Sequence, residues 1–218
     1  MSVHDSRMVV AMNALAGTSF REQLRRALAN PTPEAELQGP RTAAIALILL
    51  DLDASLELLL IERATREGDP WSGHMALPGG HREETDAGLG ATAERETLEE
   101  VGLDLRAQGE RLGTLSDCTP IRGVPIAVRP YVYLLTARPT LQLSTEVRQA
   151  LWVPTAPLLS GAAQATYTLS RGDERLELPA WNIEGRLVWG LTYRVLDEFF
   201  RRFNALLQEH SARLDNSD

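Results

Sequence analysis

The sequence predicts a mixed α/β fold, in the α+β sense, with a sheet carrying helices on its faces. Apolar runs rich in Ile, Leu and Val, cut by Gly, Pro and Asp, read as strands. A smaller set of segments repeats its apolar residues at helical spacing. The two kinds do not alternate regularly, which favours a mixed sheet over a repeated strand-helix unit. At 218 residues with 44% apolar content, one domain over 1–218 can bury a sizeable core. Its expected appendages are an N-terminal helical extension, about 1–40, and a C-terminal helix, about 189–210.

In chain order, Ser19 to Asn30 carries Phe20, Leu24, Ala27 and Leu28 at helical spacing, and Asn30-Pro31-Thr32-Pro33 ends that helix. Arg41 to Asp53 and Ser55 to Arg63 are apolar runs joined by Asp53-Ala54, the pattern of a hairpin of two buried strands. Glu67 to Gly90 is dense in Gly, Pro and Asp and reads as a long loop with little regular structure, of the kind that carries function. Ala91 to Val101 reads as a helix stopped by Gly102. Strands are predicted at Arg111 to Cys118, Pro125 to Ala137, Ala150 to Val153, Ala165 to Ser170 and Arg175 to Leu178. Trp189 to Leu207 reads as an amphipathic helix, with fraying expected from Ser211 on.

Composition narrows the function. The one cysteine, Cys118, excludes an internal disulfide, and with only four scattered histidines it excludes a Cys/His zinc set. The longest apolar run, Thr42 to Leu50, is too short to span a bilayer, and no charged n-region leads into an apolar h-region at the start. A cytoplasmic chain without a membrane partner is expected. The net charge of -8 and pI near 5.1 argue against general nucleic-acid binding. An acidic protein that handles phosphates needs a bridging cation.

The most informative segment pairs Leu77-Pro-Gly-Gly80 with Arg95-Glu-Thr-Leu-Glu-Glu-Val-Gly-Leu103. On a helix Glu96, Glu99 and Glu100 stand at i, i+3 and i+4, so three carboxylates share one face, with Leu98 and Val101 on another. No Lys or Arg follows at the next turn, and a divalent cation relieves the repulsion. The competing reading of a bare E-x-x-E-E is a solvated acidic face. Gly79 and Gly80 allow backbone to approach a metal or phosphate closely, and Arg95 is placed to orient Glu96.

These residues resemble the signature of the Nudix hydrolases, G-x5-E-x7-R-E-U-x-E-E-x-G-U with U bulky and apolar. Gly80, Arg95, Glu96, Glu99, Glu100, Gly102 and Leu103 match it. The first family glutamate falls on Asp86, the next spacer is eight residues, and Thr97 takes the place of the first U. The resemblance implies an α/β/α sandwich around a central mixed sheet. It implies Mg2+, with Mn2+ as a substitute, on Glu96 and Glu100, with Glu99 contributing and the Gly79 carbonyl an added ligand. It further implies that Arg95 orients Glu96.

Cleavage of a diphosphate needs a nucleophilic water, neutralised phosphoryl oxygens and an acceptor for the water's proton. Family members differ in whether that acceptor is a glutamate of the signature, such as Glu96 or Glu99, or one from a later loop. The later candidate is Glu146, in Ser144-Thr-Glu-Val-Arg148 ahead of Trp152-Val-Pro154; its competing reading is a helix N-terminal glutamate favoured by the helix dipole.

Upstream, Leu58 to Arg66 and Gly68 to Gly80 look like the segment of the coenzyme A diphosphatase branch, matched at Arg63, Ala64, Gly73, Pro78, Gly79 and Gly80. One extra residue separates Arg63 from Gly73, Asp69 falls where that branch has a second Arg, and Leu77 replaces Phe. Arg63, Arg66 and Gly80 are the candidate substrate contacts, with ordinary strand-end charge as the alternative for the two arginines. Val128 to Val132 and Val188 to Thr192 extend the similarity, with Trp189 and Tyr193 read as helix packing and His74 and His81 as loop residues without chemistry. The expected reaction is cleavage of coenzyme A or an acyl-CoA to phosphopantetheine and adenosine 3',5'-bisphosphate. The alternatives are cleavage of ADP-ribose, a dinucleotide or a nucleotide sugar, and, from a different class, a non-catalytic nucleotide sensor. A small-molecule nucleotide is the expected partner, and both monomer and homodimer stay open.

Overall fold

A computed structural model describes residues 21–22, 24–25, 28, 41–52, 55–68, 71–120, 125–171 and 174–215. The expected turn at Asp53-Ala54, Asp69 and most of the expected N-terminal helix lie outside these residues. Positions 21, 22, 24, 25 and 28 are helical, and Leu24 and Leu28 are buried in the core. The chain runs β1 (Thr42–Leu52), β2 (Ser55–Arg63), β3 (Met75–Ala76), β4 (Gly79–His81), α1 (Leu89–Val101), α2 (Leu105–Gln108) and β5 (Glu110–Thr114). It continues with β6 (Ala127–Leu135), β7 (Val147–Pro154), α3 (Ala156–Leu159), β8 (Gln164–Arg171), β9 (Glu174–Ile183), β10 (Arg186–Trp189) and α4 (Gly190–Asp215).

β1 and β2 form the expected antiparallel hairpin, with Leu49 opposite Leu58 and Leu52 opposite Ser55. β1 also pairs in parallel with β6, Ala46 opposite Tyr131, so the sheet is mixed. β7 extends the sheet beyond β2, and β5 beyond β6. β1 is an almost unbroken apolar run because both faces of the sheet are covered. Leu47 and Leu49 pack with Leu196, Phe199 and Phe203 of α4, while Ala44, Ala46 and Ile48 pack with Ala93 and Val101 of α1. The result is a layer of helix on each face of one sheet.

The segment expected to be loop contains two short strands. β3 pairs with the end of β2, Ile61 opposite Ala76, and β4 pairs with the start of β1, Ala44 opposite Gly80. Residues 75–81 are thus wedged where β1 and β2 diverge. Glycine carries little strand propensity, so the strand depends on its partners and not on its own residues.

β8, β9 and β10 form a second, antiparallel sheet. Trp189, expected to open the last helix, closes β10 instead. Gly190, at φ 65°, makes the turn from strand to helix. α4 then continues to Asp215, past the expected fraying at Ser211. In α1 the expected pairing of Leu98 with Val101 fails, because Val101 is buried and Leu98 is 49% exposed. The inward residue is Thr97, whose hydroxyl donates to the Ala93 carbonyl at 2.7 Å and is thereby satisfied inside the core. No described helix is long and apolar enough to cross a membrane.

Candidate active site

Wedging β4 between strands presents the Gly79-Gly80 backbone to α1. The Gly79 N–H donates to Glu100 Oε2 at 2.9 Å, so the Gly79 group that meets a carboxylate is its amide. A methyl group at Gly80 would overlap the Glu96 carboxylate, and one at Gly79 would overlap Ala44 O and Ile45 Cα. With φ at 146°, Gly79 also holds a conformation that other residues rarely adopt. Glu96 and Glu100, one helical turn apart, therefore both face the glycine turn. Glu99 does not join them: its side chain is 58% exposed against 19% for Glu96. The expected three-carboxylate face is two residues turned in and one turned out. Among the described residues, no group of three or more His, Cys, Asp and Glu side chains is arranged to hold a metal ion.

The relief of like charge comes from Arg95, which precedes the glutamates. Its Nη1 donates to Glu96 Oε1 at 2.9 Å and Glu99 Oε2 at 3.2 Å. Its Nε and Nη2 donate to the two oxygens of Asp86, both at 3.0 Å, and Nη2 also donates to the His81 carbonyl at 2.9 Å. Asp86 is buried and accepts further bonds from the Glu83 N–H and the Thr92 hydroxyl. The Arg95 guanidinium, helped by these donors against the effect of burial, holds its carboxyl down to about 2. In the sequence Asp86 stands only as a departure from the signature, with no role assigned to it. Its position at the family's first glutamate was the available signal, and the structure puts it in direct contact with the residue that orients Glu96.

Glu100 is opposite in character. Burial pushes its carboxyl up to about 7; the Gly79 N–H opposes the rise and the Glu96 charge adds to it. Glu96 is also raised, by burial first, with Arg95 opposing. One buried and one half-buried carboxylate thus meet at a turn where their negative charge is incompletely offset.

A third carboxylate approaches from the far side. The 142–146 turn is tied to the end of α1, with Gln142 N–H donating to Val101 O at 2.8 Å and Ser144 N–H to Glu100 O at 2.9 Å. Glu146 stands in this turn ahead of β7, so the helix-dipole reading of it does not apply. Its charge helps hold the Glu96 and Glu100 carboxyls above the ordinary carboxylate range. Arg63, at the end of β2, acts on Glu100 in the other direction, so its charge lies toward that carboxylate. Arg66 donates from Nη2 to Glu146 Oε1 at 3.1 Å.

The remaining sequence candidates divide. Tyr193 packs as expected, 4.6 Å from the buried Trp181 ring. Trp189 instead stacks on Tyr167 at 3.8 Å and meets His74 edge-on at 5.0 Å. His81 is exposed, and its side chain lines a cavity of about 610 Å³ beside β4 with Arg41, Thr42, Arg82, Glu83 and Glu84.

Fold and site together define an α/β/α sandwich with an acidic helix docked on a glycine turn. A family model described as the NUDIX domain matches residues 39–171, and the chain belongs to the Nudix family. It is 46% identical over 108 residues to an uncharacterized Schizosaccharomyces pombe protein, a match covering 47% of this chain and 33% of that one, so the chain spans about a third of that relative's length. It is 30% identical over 177 residues to the human protein named mitochondrial coenzyme A diphosphatase NUDT8, covering 80% of this chain and 74% of that one. Among solved structures, a MutT/nudix family protein from Enterococcus faecalis aligns with a TM-score of 0.48 at 18% identity, over 88% of this chain and 75% of that one.

Proposed function

We propose that this chain is a Mg2+-dependent diphosphatase that cleaves coenzyme A or an acyl-CoA to phosphopantetheine and adenosine 3',5'-bisphosphate. The observation that carries the reading is the meeting of Glu96 and Glu100 at the Gly79-Gly80 turn. Partly or wholly buried oxygen donors with surplus negative charge suit a hard divalent cation, and Mg2+ takes one or two carboxylates while keeping water and substrate phosphates as its other ligands. Glu96 and Glu100 would hold it, with Mn2+ as a substitute; the Gly79 carbonyl is a further ligand in this reading, and Glu99, turned outward onto Arg95, is not needed by it. Such a cation neutralises phosphoryl oxygens and acidifies bound water. Arg95 keeps Glu96 ionised and aimed at the turn, Glu146 takes the proton of the attacking water, and Arg63 offers its charge to the diphosphate. The bare Gly80 leaves the approach to Glu96 open.

Support for the coenzyme A substrate is the identity with the human diphosphatase together with Arg63, Ala64, Gly73 and Pro78 to Gly80. A second reading, cleavage of ADP-ribose, a dinucleotide or a nucleotide sugar, is favoured by Asp69 at the branch's second Arg position and by the engagement of the Arg66 guanidinium with Glu146, which keeps it from replacing that Arg. The proposal includes a single Nudix domain over 1–218 and a cytoplasmic location, whereas the human relative's name gives a mitochondrial one. Incubation of the full chain with CoA, acetyl-CoA, ADP-ribose, diadenosine polyphosphates and UDP-glucose in Mg2+ or Mn2+, with products separated by chromatography, decides among them. Adenosine 3',5'-bisphosphate released from CoA is the expected result. Intact CoA beside cleaved ADP-ribose selects the second reading, and nucleotide binding without turnover of any compound selects a sensor.

A further inference from the structure

We infer that Arg66 is a positioning residue for Glu146, itself held by Ser72, and that it does not contact the substrate. The inference rests on the functional reading only in giving Glu146 the water's proton. Its geometric basis is a chain of hydrogen bonds across three segments. Ser72 Oγ accepts from the Arg66 N–H at 2.8 Å and donates to the Arg66 carbonyl at 2.8 Å, so one hydroxyl pins both backbone groups of this residue. The Gly73 N–H donates to Arg63 O at 3.1 Å, which folds the intervening turn back onto the end of β2. From that anchored backbone the Arg66 guanidinium reaches Glu146 at 3.1 Å.

Glu146 is gripped on its main chain as well. Its carbonyl accepts from the Ala64 N–H at 2.8 Å, and its N–H donates to Ser144 Oγ at 3.2 Å. Main-chain bonds fix where the side chain starts but leave three torsions to set where it ends. Repulsion from Glu96 and Glu100 drives that end outward into water. Among the described residues, the Arg66 guanidinium hydrogen-bonds the Glu146 carboxylate. Both partners are about half exposed, at 49% and 51%, and a pair this exposed contributes little to stability. Its effect therefore falls on orientation.

The test compares Arg66→Ala, Arg66→Lys, Ser72→Ala, Glu146→Gln and the Arg66→Ala/Glu146→Gln double variant on the substrate the panel identifies. Arg66→Ala is expected to lower kcat by about 10- to 100-fold, the scale of a misplaced reacting group, with KM within about twofold. Arg66→Lys restores part of the loss, and Ser72→Ala moves kcat the same way by about threefold. In the Glu146→Gln background, Arg66→Ala adds nothing. Hydrogen exchange gives a readout free of turnover: peptides spanning 143–147 exchange faster in Arg66→Ala and return toward wild type in Arg66→Lys. A raised KM at unchanged kcat makes Arg66 a substrate contact and overturns the inference, as does full additivity with Glu146→Gln or wild-type kinetics in Arg66→Ala. If the wild-type chain cleaves nothing in the panel the functional reading has failed, and unchanged exchange in Arg66→Ala overturns this inference separately.

Discussion

Asp86 and Glu100 are both buried, at 8% and 5% exposure, and flank the same helix, yet one carboxyl is held down to about 2 and the other pushed up to about 7. Burial disfavours charge at both, so the difference lies in what reaches the oxygens. Asp86 receives two guanidinium bonds, a backbone N–H and a hydroxyl. Glu100 receives one backbone N–H and faces Glu96 and Glu146. The start of α1 is electrostatically closed by the chain itself; its end is left open. A helix built this way separates the part that sets geometry from the part that the proposed cation would meet.

Removing the open end has the largest effect. Glu100→Gln is expected to lower Mg2+-dependent turnover by at least about 10³-fold while preserving the fold by circular dichroism; turnover near wild type sinks the assigned role. The same variant sharpens the contrast without metal. A folded carboxyl at about 7 against an ordinary 4.5 favours the protonated form, so its contribution to stability is complete below 4.5 and is lost as pH rises through 7. The metal-free wild type should lose up to about 3 kcal/mol across that window, and Glu100→Gln should not. Denaturant titrations at pH 4.5 and 8 without metal measure this.

Gly80→Ala comes next, because its methyl group displaces the Glu96 carboxylate and leaves the helix otherwise intact. A loss of about 10²-fold in kcat with a melting temperature near wild type is expected. A purely thermal defect contradicts it.

At the closed end, Asp86→Asn should act mainly on stability. A carboxyl held at about 2 against an ordinary 3.8 stabilises the fold above 3.8, and that contribution is lost as pH falls toward 2. The variant is therefore expected to be about 2 kcal/mol less stable than wild type at pH 7 and to match it near pH 2. A difference that persists at pH 2 places the cost in packing.

These two ends were unequally legible in the sequence. The β1–β2 hairpin, the helix that ends at Gly102 and the family signature follow from apolar periodicity, glycine and carboxylate spacing, all local properties. The wedge formed by β3 and β4 was not legible, since Met75-Ala76 and Gly79-Gly80-His81 become strands only through partners more than ten residues away in the chain. Asp86 was undervalued for the same reason: its importance is a contact with Arg95, and the longer spacer hid it. The direction of each glutamate on α1 was not legible either, and the expected shared face loses Glu99. Helical spacing puts Glu96, Glu99 and Glu100 near one another, but the side-chain torsions that separate Glu99 from the other two depend on Arg95 and on the glycine turn.

That separation gives the smallest and most discriminating effect. Glu99 shares Arg95 Nη1 with Glu96, at 3.2 Å and 2.9 Å, and its removal returns that donor wholly to Glu96. An exposed pair of this kind contributes little, so Glu99→Gln should change kcat by less than about fivefold and leave stability within about 1 kcal/mol of wild type. If Glu99→Gln costs as much as Glu100→Gln, then Glu99 leaves Arg95 and turns inward when the cation binds. In that case the outward glutamate is a reserve ligand, and the open end of the helix is completed from its own exposed face as well as from solvent.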